Sequence, residues 1–267
     1  MEHALEPLSK STVRSGPPTG HTTLVVSGGR PGVGATTIAI QLATALSREA
    51  QRVVLIDADP FGADIASRGE YSTALGIGDV LAGRKTIHEV LQLGPTGMQI
   101  LAGAANQQIR DSLNGRAIGR LLKQMRSLGP HADWLLVDAG NQPSDMAAQL
   151  WSAADRLLVV TSPDAVAVMD TYALIKTLLS RQSLRQSPAL VINQAADEAT
   201  AADVHRRIDQ SCRRFLGLAI EFAGWLPLDP KVKLAVMAAA VLTPAVIELA
   251  HRLHQLHQTP APRPLAA

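Results

Sequence analysis

One cysteine, Cys212, is all the thiol chemistry that the 267-residue chain holds. This excludes an intrachain disulfide framework and any Cys-ligated cluster within one chain, and it fits a reducing compartment. Aromatic residues are scarce, 3% against 46% hydrophobic residues in all, so the core must be built from Ala, Val, Leu and Ile. No apolar run approaches the roughly 20 residues that a membrane-spanning helix needs, and the first residues carry no apolar signal segment. An excess of one charge is also missing: 25 Lys and Arg against 23 Asp and Glu leave a formal charge of +2, too mild to imply nucleic acid. The expectation is a soluble, cytoplasmic chain, long enough to bury a large α/β core, with membrane contact at most peripheral.

The chain is organised around one stretch. Leu24, Val25 and Val26 form an apolar, β-branched run that reads as a short buried strand. A glycine-rich loop follows, and Thr36-Thr-Ile-Ala-Ile-Gln-Leu-Ala43 opens a helix. Gly29, four residues, Gly34, then Ala35-Thr36 has the spacing G-x-x-x-x-G-K-[ST] of a phosphate-binding loop, with alanine in place of lysine. Glycines suit this task because successive backbone N–H groups must turn inward around phosphate oxygens with no Cβ in the way. The helix adds the positive end of its dipole. Thr36 offers a hydroxyl suited to a Mg²⁺ ion, and Thr37 one suited to phosphate. Two other readings stay open: a purely structural strand-to-helix turn, or a dinucleotide loop. For the latter, Gly32-Val-Gly34 begins G-x-G-x-x-G and Asp57 lies at the distance of a ribose carboxylate, but the third glycine falls on Thr37.

Further apolar strands end in polar residues. Arg52-Val-Val-Leu-Ile-Asp-Ala-Asp-Pro60 ends in Asp57 and Asp59, and Asp133-Trp-Leu-Leu-Val-Asp138 ends in a carboxylate placed like that of a Walker B motif. Strands buried on both faces read this way, and ligands collect at their carboxyl ends. Asp57 and Asp59 beside a phosphate loop point to Mg²⁺ and water handling, although a strand-ending Asp is often only a turn former. Met98–Leu101, 156–163 and 189–193 are further strands, and 217–229 supplies a last one. Asn193 could read an adenine or serve as a turn residue. Helices are expected over two short pieces in 75–91, over 111–128 and over 165–180. The 111–128 helix carries a basic stripe of Arg116, Arg120, Lys123 and Arg126, expected to be a solvated face. His251, His254 and His257 are also expected on a solvated face. The fold class is therefore α/β: a single doubly wound, mostly parallel sheet with helices on both faces. A flexible arm (1–21) precedes the domain (22–257), and a Pro-rich tail (258–267) follows it.

Ser27-Gly-Gly-Arg-Pro-Gly-Val-Gly-Ala-Thr36, Leu55-Ile-Asp-Ala-Asp59 and Leu135-Leu-Val-Asp-Ala-Gly140 together resemble the deviant Walker A, switch and Walker B motifs of the MinD/ParA ATPases. Gly78-Asp-Val-Leu-Ala-Gly83, Thr171-Tyr-Ala-Leu-Ile-Lys176 and Arg214-Phe-Leu-Gly-Leu218 are most similar to the FlhG branch, which regulates flagellar number and position. The resemblance spans about residues 22–255. It implies a nucleotide-dependent homodimer that binds ATP with Mg²⁺ and acts as a positional switch on a protein partner of a flagellar or pilus assembly. By residue, it implies that Gly29, Arg30, Pro31, Gly32, Val33, Gly34, Ala35, Thr36 and Thr37 hold the nucleotide, with Asn193 and Pro227 beside it. Thr36, Asp57 and Asp138 would serve the Mg²⁺ ion. Asp59 would orient the attacking water, and Arg30 would reach a partner subunit's phosphates.

The departures from the family pattern change the expected activity. The signature lysine is Arg30, a planar fork in place of a point charge, and the next glycine is Pro31, which has no N–H. With Ala35 the main cation on the β- and γ-phosphates is absent, which costs on the order of 3 kcal/mol of transition-state stabilisation, a hundredfold or more in rate. The CpaE/TadZ pilus-localisation group also carries Ala or Thr there. Prolines in the tail exclude the family's membrane helix. ATP hydrolysis is therefore expected to be impaired. A nucleotide-independent scaffold is one alternative. A DNA-partitioning ATPase is another, for which Arg206/Arg213 and Arg207/Arg214 offer a basic face.

Overall fold

The fold was obtained as a computed structural model that describes residues 21–62, 64–69, 71–72, 74–103, 110–111, 113–181, 184, 186–228 and 242–258. Of the arm expected over 1–21 and the tail expected over 258–267, all but His21 and Gln258 lies outside these residues. Among the described residues there is one eight-stranded sheet of order β3-β4-β2-β5-β1-β6-β7-β8. Its strands are β1 (Thr22–Gly28), β2 (Val53–Asp57), β3 (Gln92–Leu93), β4 (Gln99–Leu101), β5 (Trp134–Asp138), β6 (Arg156–Thr161), β7 (Ala189–Ala195) and β8 (Glu221–Pro227). Every pairing is parallel except the edge pair β3–β4. β1, β2 and β5 are buried along their whole length, which is why they read as continuous apolar runs rather than alternating ones.

Helices cover both faces. On one side lie α1 (Ala35–Arg48), α2 (Asp64–Gly69) and α9 (Pro244–Gln258). Ile38, Leu42 and Leu46 of α1 pack there against Leu249 and Leu253 of α9 and Val26 and Leu55 of the sheet. On the other side lie α3 (Ile77–Ala82), α4 (Ile87–Val90), α5 (Gly115–Arg126), α6 (Asp145–Ala153), α7 (Ala165–Arg181) and α8 (Glu198–Leu216). Ile118, Leu121, Met125, Leu174, Ile175 and Ile208 fill that core. Trp151 Nε1, buried on α6, donates to Ser27 Oγ at 2.8 Å, so the end of β1 is tied to the helix layer by a satisfied polar contact.

Several expectations change in detail. The 111–128 helix is shorter: Asn114 caps α5 by accepting from the N–H groups of Arg116 and Ala117, at 3.1 and 3.0 Å. Its basic stripe is not wholly solvated, because Arg120 is half-buried and donates to Leu81 O at the end of α3. The histidines of α9 likewise divide. His251 pairs with Glu49, the residue that caps the end of α1, at 2.7 Å, and His254 is half-buried against the Trp134 ring. Two-residue β3 was not foreseen, since so short a segment shows no period.

Candidate nucleotide site

β1 lies between β5 and β6, and β2 lies beyond β5, so the strand order reverses at β1 and a crevice opens at the carboxyl ends there. The loop 28–34 leaves β1 at this point. Gly32 and Gly34 take left-handed φ values of 90° and 94°, which a side chain resists by about 1–2 kcal/mol. Gly29 is needed for a different reason: a Cβ on it would fall 2.5 Å from Thr171 N, because the loop rests on α7. Gly34 is the N-cap of α1 and supplies no side-chain acceptor. Ile38 N is bonded to Gly34 O at 2.9 Å, so the preceding N–H groups of Ala35, Thr36 and Thr37 are the donors that a helix start offers to an anion.

The loop is braced from the next strands. Asn193 Nδ2 donates to Val33 O at 2.8 Å, and Gln194 Nε2 to Gly32 O at 2.9 Å. Gln194 holds a positive φ of 61°, a conformation uncommon for a non-glycine residue. Asn193 thus directs one amide N–H at the loop backbone and keeps its second N–H and its carbonyl oxygen for other partners.

A cavity of ≈ 470 Å³ adjoins the loop. Of the residues selected from the sequence it brings together Arg30, Pro31, Gly32, Gly34, Ala35, Thr36, Thr37, Asn193 and Pro227. Gly29, Val33, Asp57, Asp59 and Asp138 are not among its lining residues. Arg68, Asn141 and Gln194 do line it, and sequence reasoning missed all three. Asn141 had a signal, as it directly follows the Leu135–Gly140 motif; Arg68, on a six-residue helix, had none.

Arg30 lies between two carboxylates of its own chain. Its Nη1 is 3.4 Å from Asp164 and its Nε 3.8 Å from Asp170. Exposed pairs of this kind contribute about 0–1 kcal/mol, so the contact orients the guanidinium without locking it.

The carboxylates sit behind the loop. Asp57 and Asp138 are register partners on neighbouring strands, each 1% exposed. Burial holds the Asp57 carboxyl well above the ordinary carboxylate range, and the charge of Asp138 adds to this; N–H groups of Ile65 and Asp59 act in the opposite direction. The Ile65 N–H reaches Asp57 Oδ2 at 3.2 Å, and Asp138 Oδ1 accepts from Gly140 N at 3.0 Å. Asp59 is half-exposed and accepts from Phe61 N at 2.8 Å. Each member of the β2 pair is seated against a glycine. A Cβ on Gly103 would fall 2.4 Å from Asp57 Cγ, and one on Gly140 would fall 2.4 Å from Asp59 Cγ. As Asp57 is buried outside the cavity lining and bonded to Ile65, it is not placed as a ribose carboxylate.

This donor set fits a nucleotide's phosphates with Mg²⁺. The left-handed glycines and open helix start suit phosphate oxygens, and the hydroxyls and carboxylates are hard oxygen donors suited to Mg²⁺. Among the described residues no group of three or more His, Cys, Asp or Glu could hold a metal alone.

Comparison with known proteins agrees with this geometry. Residues 21–224 match the family of the cellulose biosynthesis protein BcsQ. The antiactivator FleN of Pseudomonas aeruginosa is 30% identical over 213 residues, covering 80% of this chain and 76% of FleN. MinD of Pyrococcus horikoshii, solved as a complex with Mg-ADP, superposes with a TM-score of 0.70 at 18% identity, covering 90% of this chain and 99% of that one. The Aquifex aeolicus MinC:MinD complex gives 0.65 at 22% identity, covering 88% and 96%. With the phosphate loop, the paired strand-end aspartates and the sheet order all in place, the chain belongs to the MinD/ParA family of P-loop ATPases, matching its BcsQ group and similar to its FleN/FlhG-like members.

Proposed function

We propose that this chain is a Mg-ATP-binding positional switch that dimerises with nucleotide and controls the number or placement of a polar assembly, a flagellum first of all. The observation that carries the reading is a phosphate cradle that keeps its glycine turns and open helix start but lacks its lysine and, at Pro31, one backbone donor. Left-handed Gly32 and Gly34 and the uncapped start of α1 remain, while position 35 supplies only a methyl group. Binding is then retained in weakened form, and hydrolysis falls by the hundredfold or more that loss of about 3 kcal/mol at the transition state implies.

In this reading the N–H groups of residues 32–37 and the Thr37 hydroxyl hold the phosphates. Thr36 and Asp138 face the Mg²⁺ ion, and Asp57 backs them. When bound, the ion would offset the charge shared by the nucleotide and the two buried carboxylates. Asp59 orients water. Arg30 leaves Asp164 and Asp170 to meet a second subunit's phosphates, a change opposed only by weak exposed pairs. A likeness to the flagellum site-determining protein YlxH of Helicobacter pylori, 26% identical over 154 residues, supports the flagellum as the assembly served, and the MinC:MinD complex supports a protein partner.

Deleting the gene in its source cell tests the role: flagella altered in number or position support it. The BcsQ match favours one second reading, a role in cellulose biosynthesis. Unaltered flagella together with lost cellulose production would favour that second reading. A DNA-partitioning role has less support, because Arg206, Arg207 and Arg213 pair with Asp203 and Asp209 on the same helix. Tight DNA retention at physiological salt would restore it.

A further inference from the structure

We propose that Arg68 of α2 supplies, from outside the phosphate loop, the cation that position 35 lacks, and so is a phosphate-binding residue of this site. The inference rests on the nucleotide reading above and deepens it. Among the described residues lining the cavity, Arg30 and Arg68 are the two cations. Arg30 is oriented by Asp164, just before α7, and Asp170 of α7. Arg68 instead has its Nη1 3.5 Å from Thr37 Oγ1. Thr37 is on the first turn of α1, where the open N–H groups converge. A guanidinium in contact with that hydroxyl is within reach of any phosphate oxygen the hydroxyl contacts, and its fork can take two oxygens at once.

The position of Arg68 is fixed by the switch strand. Ile65, one turn earlier on α2, is fully buried, and its N–H donates to the carboxyl of Asp57 at the end of β2. The side chain that reaches Thr37 therefore hangs from a helix tied to a carboxylate beside Asp138. Replacing lysine on the loop by arginine on α2 has a chemical consequence. A lysine at position 35 would be part of the rigid cradle, whereas Arg68 is exposed and mounted on the segment that follows Asp59. Charge neutralisation at the phosphates then depends on where α2 stands, so the nucleotide and the switch segment are coupled through this one side chain.

Calorimetric titration of Mg-ATP into wild type, Arg68→Ala, Arg68→Lys, Ala35→Lys and the Ala35→Lys/Arg68→Ala double variant tests the proposal, with circular dichroism as the control for folding. Arg68→Ala is expected to weaken Mg-ATP binding roughly tenfold or more, the loss of one charge-assisted contact to phosphate. Its salt dependence should become shallower than that of wild type, and Arg68→Lys, which keeps the charge but not the fork, should lose less affinity than Arg68→Ala. In the Ala35→Lys background, where the loop has its own cation, removing Arg68 should cost much less. Unchanged affinity in Arg68→Ala overturns the proposal and leaves the nucleotide reading standing. An equal loss in both backgrounds also overturns it, because Arg68 would then not stand in for the missing lysine. Absence of Mg-ATP binding by the wild-type chain overturns the nucleotide reading itself.

Discussion

Alanine in place of Gly140 probes how closely the carboxylates depend on the two glycines against them. Gly140 has φ 77°, so alanine must be held in the left-handed region, at about 1–2 kcal/mol. Its Cβ would also fall 2.4 Å from Asp59 Cγ, and the carboxyl must swing away from the Phe61 N–H that it accepts at 2.8 Å. Losing that contact adds about 1–2 kcal/mol for a partly exposed acceptor. The sum, about 2–4 kcal/mol, corresponds to a melting point lower by roughly 5–15 °C in a chain of this size. Two companions separate the contributions. Gly217→Ala, at the end of α8 with φ 65° and nothing within 4 Å of a new Cβ, carries only the backbone cost, about 1 kcal/mol. Gly103→Ala needs no left-handed backbone but drives its methyl to within 2.4 Å of the buried Asp57, an overpacking cost of about 1–3 kcal/mol. Scanning calorimetry of the three variants should place Gly140→Ala lowest. If Gly140→Ala and Gly103→Ala melt no lower than Gly217→Ala, the seating of both carboxylates against glycine is refuted.

Other perturbations have equally definite outcomes. Asp57 titrates above its unfolded value, so the stability it contributes is present below the unfolded carboxylate pKa and lost as pH rises through the folded one. Asp57→Asn should remove that loss: nucleotide-free protein is expected to gain stability over wild type progressively above about pH 4, read by denaturant midpoints at several pH values. Ala35→Lys should raise ATP turnover, and Asp59→Ala should abolish the gain; higher affinity without turnover would locate the defect at more than position 35. Asn193→Ala removes the donor to Val33 O and leaves the loop less ordered. It should weaken Mg-ATP binding severalfold with a stability loss of about 1 kcal/mol, and an unchanged affinity would argue against the brace.

Much of this architecture is legible in the sequence, because strands buried on both faces leave an unmistakable imprint. Val53–Asp57 and Trp134–Asp138 read as apolar runs ending in carboxylates, and those ends do lie side by side. The phosphate loop was readable for a related reason, since the spacing of Gly29, Gly34 and Thr36 encodes a backbone path. What stayed hidden depends on contacts distant in sequence. Asn193 reads as a turn former or an adenine reader, and its bond to Val33 O, across 160 residues, leaves no trace in the sequence. Arg120 and His254 looked solvated because helical spacing cannot show the Leu81 carbonyl or the Trp134 ring that meets them. Arg68 could not be picked out, as nothing in a short polar helix marks which arginine faces a threonine 31 residues earlier.

The central claim is that a phosphate cradle without its lysine still binds nucleotide, and titration of Mg-ATP into the wild-type chain tests it most directly. Saturable, magnesium-dependent binding, weaker than that of the Ala35→Lys variant and accompanied by little or no turnover, is the predicted result. No heat of binding up to millimolar Mg-ATP would contradict it and make the chain a scaffold that keeps the fold of a nucleotide switch without its ligand.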